Sequence, residues 1–276
     1  MGRGGLYRKG TVTDMSHAAT ISRKDQEREF HDALRGVHKT DPRLTANKKW
    51  YAIGRSNHAF SMERLARACQ GRRVLDYCCG DGENGLFAAA HGATEVVGID
   101  ISPVSVMDAT RKAQERGLAG RVRFEVMDGE AMTFPTGHFD VIIVAGVLHH
   151  LDLDAAYREL ARVLADDGAV LGGEALCHNL IIRWYRRLTP HLRTAWESEH
   201  ILGRREILRA RRYFDVVRVD RFFHLATLAA VPFRNTPVFP AVLTALEHVD
   251  RIVLRLPGIR WQAWQGMFTL TQPKRH

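Results

Sequence analysis

Short apolar runs alternate with amphipathic segments through the middle of the chain, and the two kinds of segment have different periods. Each apolar run is short, and glycine or charged residues bound it, as expected of a strand buried on both faces. Between the runs, apolar residues recur at helical spacing. This alternation predicts a doubly wound, Rossmann-like α/β fold. The predicted strands are residues 72–78, 95–100, 121–126, 139–147 and 169–176.

The two ends of the chain depart from this alternation. Residues 1–45 are polar and charged, with a short amphipathic helix predicted near 25–35, so we expect an extension or lid there. After residue 176 two long apolar and aromatic segments interrupt the pattern, and we expect them to cover the ligand side of the sheet. The predicted organisation is an extension at 1–45 and a main domain at 46–276, with a core at 72–176, cover insertions at 177–212 and 224–257, and further strands at 216–223 and 262–271.

Composition places the chain among ordinary globular proteins, with 45% hydrophobic and 26% charged residues. Its longest apolar run, residues 141–148, is far shorter than the roughly 20 residues that cross a bilayer. The first residues carry charge without a following apolar segment, which argues against a secretory signal. Four cysteines are few for this length and favour reduced thiols in the cytoplasm.

Basic residues outnumber acidic ones by 40 to 31, which gives a net charge of +9. Much of the excess is arginine between residues 183 and 212, a segment that also holds Trp184, Tyr185 and Trp196. Such a segment can bind a polyanion, but solvated helix faces or an anionic small substrate explain it as well. We therefore favour a small-molecule partner, apolar or anionic, over nucleic acid.

A glycine turn follows the first predicted strand, with the spacing Gly80-x-Gly82-x-x-Gly85. This spacing is found in dinucleotide sites and is weak on its own. Asp76, four residues before Gly80, is more informative. A carboxylate aimed into the turn would repel a pyrophosphate but could receive an ammonium group.

Here the sequence resembles the class I S-adenosylmethionine-dependent methyltransferases, whose first motif is V-L-D-x-G-C-G-x-G. Cys78 stands in place of the usual glycine, so we expect the turn to be slightly displaced or to adopt an ordinary φ. The LHHL run at residues 148–151 resembles that of small-molecule members of the family. The first motif is matched by Val74, Leu75, Asp76, Cys79, Gly80 and Gly82.

The resemblance implies a seven-stranded, mostly parallel sheet that binds S-adenosylmethionine and releases S-adenosylhomocysteine. Asp100, at the end of the second strand, is expected to accept hydrogen bonds from the ribose hydroxyls, although a helix N-terminal acid is the alternative. Asp128 is expected at the adenine amino group, or as a turn acid. The expected cofactor-binding residues are Tyr51, Arg55, Asp76, Cys78, Gly80, Asp81, Gly82, Asp100, Ile101, Asp128, Gly129, Glu130 and Ala145.

Three residues are candidates for the catalytic chemistry. His149 or His150 could remove a proton from an acceptor hydroxyl, and the other imidazole would shape the pocket. Glu174 could position a hydroxyl, or it could pair with one of the many arginines. The sequence has no C-x-x-C pair and no H-x-x-x-H pattern on a helix, so no metal site is predicted.

These features favour methylation of an oxygen on a small molecule, such as a natural product, a sugar or a lipid-linked intermediate. The [N/D]-P-P-[Y/F] motif of enzymes that methylate bases or glutamine is replaced by Ala145-Gly146-Val147-Leu148. Two alternatives remain open: an RNA or protein methyltransferase that uses the arginine-rich segment, and a non-methylating cyclase or regulatory protein that binds S-adenosylmethionine.

Overall fold

One mixed sheet organises the molecule in the computed structural model, which describes residues 22–36, 48–192 and 194–275. Its seven strands run in the order β3-β2-β1-β4-β5-β7-β6, and β7 lies antiparallel between β5 and β6. The other pairings are parallel, so the predicted seven-stranded, mostly parallel sheet is confirmed. The strands are β1 (Arg73–Tyr77), β2 (Glu95–Asp100), β3 (Val122–Val126), β4 (Phe139–Ala145), β5 (Leu164–Ala175), β6 (Phe214–Phe223) and β7 (Gln265–Pro273).

Helices of the described ranges precede the sheet, connect its strands and form the cover. The described residues also form 3-10 turns at Leu148–His150, Pro190–Leu192, Ala210–Arg212, Ala226–Phe233 and Arg260–Gln262. The α-helices are α1 (Arg23–Gly36), α2 (Lys48–Tyr51), α3 (Arg55–Ala68), α4 (Glu83–Ala90), α5 (Pro103–Glu115), α6 (Leu153–Val163), α7 (Leu180–Leu188), α8 (Ala195–Glu199), α9 (Arg204–Arg209) and α10 (Phe239–Val253). None of the described helices is long and apolar enough to span a bilayer.

Two apolar cores lie on opposite faces of the sheet. Consecutive strand residues point to opposite faces, so Val74 packs in one core and its neighbour Leu75 packs in the other. Both residues are fully buried. This explains why the central strands have continuous apolar runs instead of an alternating pattern.

The start of β5 differs from the sequence prediction of 169. The strand begins at Leu164, directly after α6, because Leu164 pairs with Phe139 and both side chains are completely buried. The register then shifts before Val141 pairs with Ala169, so the Asp167-Gly168 turn lies within β5 as an irregularity. β4 also ends earlier than predicted, at Ala145, since Gly146 turns the chain with a φ of 69°.

The two cover insertions have different positions. The first contributes α7, whose Ile182, Tyr185 and Arg186 line a cavity above the sheet. The second, 224–257, contributes none of the residues that line this cavity. Its Leu228, Val231 and Leu243 instead pack with Ile53 and with Ile182 of α7, and these residues belong to a third apolar cluster.

The ring of Phe124 on β3 packs against two glycines, Gly98 on β2 and Gly82 in the turn after β1. A Cβ placed on Gly98 of β2 would lie against that ring, and one placed on Gly82 would lie 2.6 Å from its Cζ atom. Gly82 also has a φ of 76°, which favours glycine. Bare backbone at these two positions therefore lets β3 pack closely beneath the turn.

We predict that Gly98→Ala lowers the free energy of unfolding by about 1–3 kcal/mol, because the added methyl overpacks the contact with Phe124. Urea unfolding measures the change. Phe124→Leu should restore much of the loss when combined with Gly98→Ala, since the smaller side chain leaves room for the methyl. Equal stability of wild type and Gly98→Ala would contradict this packing.

Candidate functional site

Two adjoining cavities open at the carboxyl ends of the central strands, where ligands bind in doubly wound sheets. The smaller, of about 280 Å³, lies over β1 and β2, and the larger, of about 570 Å³, lies over β4, β5 and β7. The cavities meet at residues that line both of them, so a group bound in one can reach a group bound in the other. The shared residues are His31, Asn84, Ala145, Gly146 and His150.

The turn after β1 forms the floor of the smaller cavity. Cys78 has a φ of 53°, and Gly80 and Gly82 have φ values of 54° and 76°. The ordinary φ expected for Cys78 is therefore not adopted. The turn retains a left-handed residue at this position although a β-carbon disfavours it. The next residue, Cys79, donates its backbone N–H to Ile99 O at 2.7 Å.

Asp76 lies fully buried beneath this turn and lines the smaller cavity. Its Oδ2 atom accepts a hydrogen bond from the backbone N–H of Gly85 at 2.8 Å, and Asn84 also donates to the carboxyl group. Burial raises the pKa of Asp76 to about 7, and the nearby charges of Asp81 and Asp100 act in the same direction. A bound cation would stabilise the ionised form.

Asp100 fixes the other side of the turn. Its two carboxylate oxygens accept hydrogen bonds at 2.9 Å from the backbone N–H groups of Gly80 and Ser102. Ser102 caps α5 through Ser105 N, so Asp100 is not the cap of that helix. The carboxylate lines the smaller cavity.

Asp128 is engaged by α1. One carboxylate oxygen accepts from the backbone N–H of Glu130 at 2.9 Å, and the other lies 2.5 Å from the ammonium nitrogen of Lys24. The same lysine lies 3.0 Å from Glu130. The acid that the resemblance assigns to adenine thus pairs with a lysine, and its role toward adenine stays a prediction.

Helix α1 lies across the smaller cavity, and its charged side chains contact residues that line this cavity. Arg23 contacts Glu130 at 2.5 Å and donates to the carbonyl oxygen of His150 at 2.6 Å. Glu27 is buried, accepts from Thr194 Oγ1 at 2.6 Å and pairs with His150 Nδ1 at 2.9 Å. A helix therefore occupies the position expected of a lid, whereas residues 1–21 and 37–45 of the predicted extension lie outside the described residues.

The pKa values of Glu27 and His150 are shifted in opposite directions by their contact. Burial disfavours the charged imidazole of His150, but the hydrogen bond and charge of Glu27 outweigh it, so the pKa of His150 lies above its ordinary value. Burial likewise opposes ionisation of Glu27, yet His150 and Thr194 bring the pKa of that carboxyl below its ordinary value. Both shifts favour the ion pair of protonated His150 and ionised Glu27.

His149 and Glu174 form a second pair, in the wall of the larger cavity. The buried Glu174 carboxylate accepts from the backbone N–H groups of Val147 and Leu148 with one oxygen, each at 2.8 Å. Its other oxygen lies 2.9 Å from His149 Nδ1. These three donors bind the carboxylate, and the expected alternative, pairing of Glu174 with an arginine, stays a prediction.

Most of the expected cofactor-binding residues line the smaller cavity, and three do not. Tyr51 lines the larger cavity instead. Arg55 lines neither, because its guanidinium pairs with Glu247 of α10 at 2.7 Å. Gly82 serves the packing beneath the turn. The expected residues that line the smaller cavity are Asp76, Cys78, Gly80, Asp81, Asp100, Ile101, Asp128, Gly129, Glu130 and Ala145.

Sequence reasoning missed the residues that α1 brings to the smaller cavity, and those on the floor of the larger one. The amphipathic pattern near 25–35 indicated a helix, and the spacing of Glu27 and His31 by four residues placed both on one face of it. Nothing in the pattern showed which surface that face covers. The missed residues that line either cavity include Arg23, Lys24, Glu27, His31, Asn57, Arg64, Arg186, Glu197, Trp264 and Gln265.

The larger cavity combines aromatic walls with a polar floor. Trp50, Tyr185 and Trp264 contribute rings, and the rings of Trp50 and Tyr185 meet edge to face at 5.1 Å. On the floor, Asn57 Nδ2 donates to Gln265 Oε1 at 2.6 Å. Such walls suit an apolar or aromatic molecule with a few hydrogen-bonding groups.

A small set of potential metal ligands also lies at the junction of the cavities. One ligand atom each from Glu27, His31 and His150 falls within 4.8 Å of the others. The hydrogen bonds from His150 and Thr194 already engage both oxygens of Glu27. The expectation of no metal stays a prediction.

Comparison with known proteins identifies the central part of the chain. Residues 74–168 match the family model described as a methyltransferase domain. Together with the seven-stranded sheet, this match identifies a class I S-adenosylmethionine-dependent methyltransferase domain. The prediction made from the first-strand motif is therefore confirmed.

Individual relatives extend this comparison. Demethylmenaquinone methyltransferase of Thermus thermophilus is 42% identical over 103 residues, which cover 36% of this chain and 46% of that protein. The 27-O-demethylrifamycin SV methyltransferase of Amycolatopsis mediterranei is 36% identical over 107 residues, 38% of this chain and 39% of that protein. The chain thus spans less than half the length of these curated relatives.

A solved structure shows the same fold over most of the chain. Geranyl diphosphate C-methyltransferase from Streptomyces coelicolor superimposes with a TM-score of 0.59 at 16% identity, over 91% of this chain and 98% of that one. At this identity the likeness shows the fold.

We predict that α1 is held less firmly over the smaller cavity as the pH rises. The His150–Glu27 ion pair contributes fully below the ordinary histidine pKa of 6.5, and its contribution is lost as the pH passes the raised pKa of His150. Hydrogen exchange of residues 23–36, corrected for intrinsic rates, should be faster at about pH 9 than at about pH 6. His150→Gln should remove the difference, and equal protection of the wild type at both pH values would contradict the prediction.

Proposed function

We propose that this chain transfers the methyl group of S-adenosylmethionine to an oxygen of a small molecule bound in the larger cavity. The observation that carries the proposal is the His149–Glu174 pair, which lies in the wall of that cavity next to the segment shared by both cavities. This supports a general base beside the point where a group from the smaller cavity would meet a molecule in the larger one.

The smaller cavity fits S-adenosylmethionine on the chemistry of its side chains. Asp76 is a buried carboxylate whose pKa is raised to about 7, so an ammonium group such as that of the methionine end would stabilise its ionised form. Asp100 lines the same cavity, and a carboxylate is the kind of acceptor that ribose hydroxyls require. When bound, S-adenosylmethionine supplies a methyl group on a sulfonium centre, which needs no further activation by the protein.

His149 is the residue we assign to proton removal. Glu174 accepts a hydrogen bond from Nδ1–H in this arrangement, which leaves the lone pair of the neutral imidazole on Nε2. The two backbone N–H groups that bind the other Glu174 oxygen hold the carboxylate in place. The imidazole is thus orientated by a fixed acceptor, as in other histidine bases that a carboxylate positions.

His150 has a different task in this proposal. Its Nδ1 faces Glu27 and its carbonyl oxygen accepts from Arg23, so it connects α1 to the end of β4. Closing α1 over the smaller cavity would exclude water and hold the reacting groups in a fixed relation, from which methyl transfer draws much of its acceleration. The two histidines therefore divide base and closure between them.

Binding of the cofactor product should depend on pH through Asp76. Because burial holds the pKa of Asp76 near 7, the carboxyl group must lose a proton to receive the ammonium group. We predict that the affinity for S-adenosylhomocysteine falls as the pH drops below 7, by up to about tenfold per pH unit. Calorimetry measures it, with Asp76→Asn as the control that binds weakly at every pH; a wild-type affinity independent of pH would contradict the assignment.

Methyl transfer should depend on His149 and Glu174 as one unit. We predict that His149→Gln lowers the turnover rate by about 10²–10⁴-fold while affinity for S-adenosylhomocysteine is preserved. Glu174→Gln should cost a similar factor, and the double variant little more, because both changes disable the same base. The measurement is release of S-adenosylhomocysteine with an acceptor found by screening hydroxylated apolar compounds.

His58→Gln is the matched control, since His58 also lines the larger cavity but lies on α3. It should retain turnover within about threefold of the wild type. Near-normal turnover of His149→Gln would remove the proton-transfer role. Binding of S-adenosylmethionine without release of S-adenosylhomocysteine for any acceptor would favour the non-methylating cyclase or regulatory protein.

A further inference from the structure

Helix α7 exposes an apolar stripe on the surface of the cover. Four of its side chains are large, apolar and 52–70% exposed. At about 100° per residue they fall within one arc of about 100° on the helix surface. These residues, the α7 stripe, are Leu180, Ile181, Trp184 and Leu188.

The opposite face of α7 belongs to the larger cavity. Ile182 is buried, and Tyr185 and Arg186 line the cavity beside it. The orientation of the helix is fixed, because the buried Asn179 caps it through Ile182 N and donates to the carbonyl oxygen of Gln262 at 2.7 Å. A single helix thus separates the larger cavity from the surface that carries the α7 stripe.

Cationic groups flank the α7 stripe on both sides. Arg183 and Arg187 are exposed and lie about 20–60° beyond its Leu180 edge. Beyond the Ile181 edge comes Tyr185, and the ammonium nitrogen of Lys49 lies 4.4 Å from the centre of its ring. An apolar face with a tryptophan and basic neighbours is the pattern of a helix that lies in a lipid–water interface.

We propose that α7 docks on an anionic lipid surface, with the α7 stripe among the acyl chains and its basic neighbours at the headgroups. This proposal rests on the proposed function and adds a class of acceptor to it. The acceptor is an amphiphile that leaves the lipid and enters the larger cavity beside α7. Nucleic acid fits this surface less well, because the exposed side chains of Leu180, Ile181 and Leu188 cannot bind phosphate groups. An anionic lipid surface has partners for both the apolar stripe and the basic residues beside it.

Vesicle flotation tests the docking. The full chain should float with vesicles of phosphatidylcholine and phosphatidylglycerol, and much less with phosphatidylcholine alone. Leu180→Ser and Trp184→Ser should each weaken binding about tenfold, because each removes one large apolar side chain from the interface. Met107→Ser is the matched control, since Met107 is 65% exposed on α5 and lies outside the α7 stripe.

Two arginine variants test how much charge contributes to vesicle binding. Arg183→Gln and Arg187→Gln should each weaken binding to the anionic vesicles about fivefold, and added salt should reduce the difference between them and the wild type. Arg121→Gln, an exposed arginine next to β3, should bind as the wild type does. Affinity for S-adenosylhomocysteine in solution should be unchanged in all these variants, which separates this test from that of the proposed function.

Several results would overturn the docking proposal. One is that the wild type does not float with anionic vesicles, and another is that Leu180→Ser and Trp184→Ser float as well as Met107→Ser does. Binding of single-stranded RNA that depends on Arg183 and Arg187, without vesicle binding, would assign the surface to nucleic acid. A dimer in solution that Trp184→Ser dissociates, without vesicle binding, would assign it to a second copy of the chain.

Discussion

The buried carboxylate of Glu174 fixes the segment on which both cavities depend. Parallel pairing of β4 with β5 sets Ala145 opposite Gly173, so Glu174 lies beside the chain as it leaves β4. There it accepts hydrogen bonds from Val147 N, Leu148 N and His149 Nδ1. Removing such a buried acceptor would leave several donors unsatisfied, which is costly. The 3-10 turn that presents both histidines therefore relies on one side chain.

Charge balance connects this turn to helix α1. The smaller cavity contains Asp76, Asp100 and Asp128, and α1 faces it with Arg23 and Lys24. The acids would repel one another without these cations or a cationic ligand. His150 joins the same network through Glu27, so the helix contacts both the acids of the smaller cavity and the chain end that carries the proposed base. The proposed closure and the proposed proton removal thus depend on the same short stretch of backbone, Leu148–His150.

The central strands and helices could be predicted from sequence because their apolar runs and glycine boundaries are local signals. The start of β5 could not, since only its pairing with Phe139 makes Leu164 part of the strand. Arg55 was assigned to the cofactor, but a glutamate 192 residues later in the chain takes its guanidinium. The residues of α1 resemble a solvated charged face until the fold shows the acids that they meet.

Part of the candidate site could likewise be predicted from sequence, and part of it could not. Asp76 on β1, the glycine turn after it and Asp100 at the end of β2 could be read from local motifs, and Asp76, Gly80 and Asp100 line the smaller cavity. The partner of His149 is 25 residues away in sequence and becomes its neighbour only through strand pairing. Sequence reasoning therefore named His149, His150 and Glu174 as candidates, whose catalytic roles stay predictions, and left open how they pair, which is a property of the sheet register.

Long-range proton–nitrogen NMR of the histidine side chains tests the central claim most directly, because it shows which ring nitrogen of His149 carries the proton. In the neutral imidazole we predict the proton on Nδ1, bonded to Glu174, with a free lone pair on Nε2. Glu174→Gln should shift the equilibrium toward the other tautomer. A wild-type His149 with its proton on Nε2 would contradict the account, because the base would then have no lone pair to offer the acceptor.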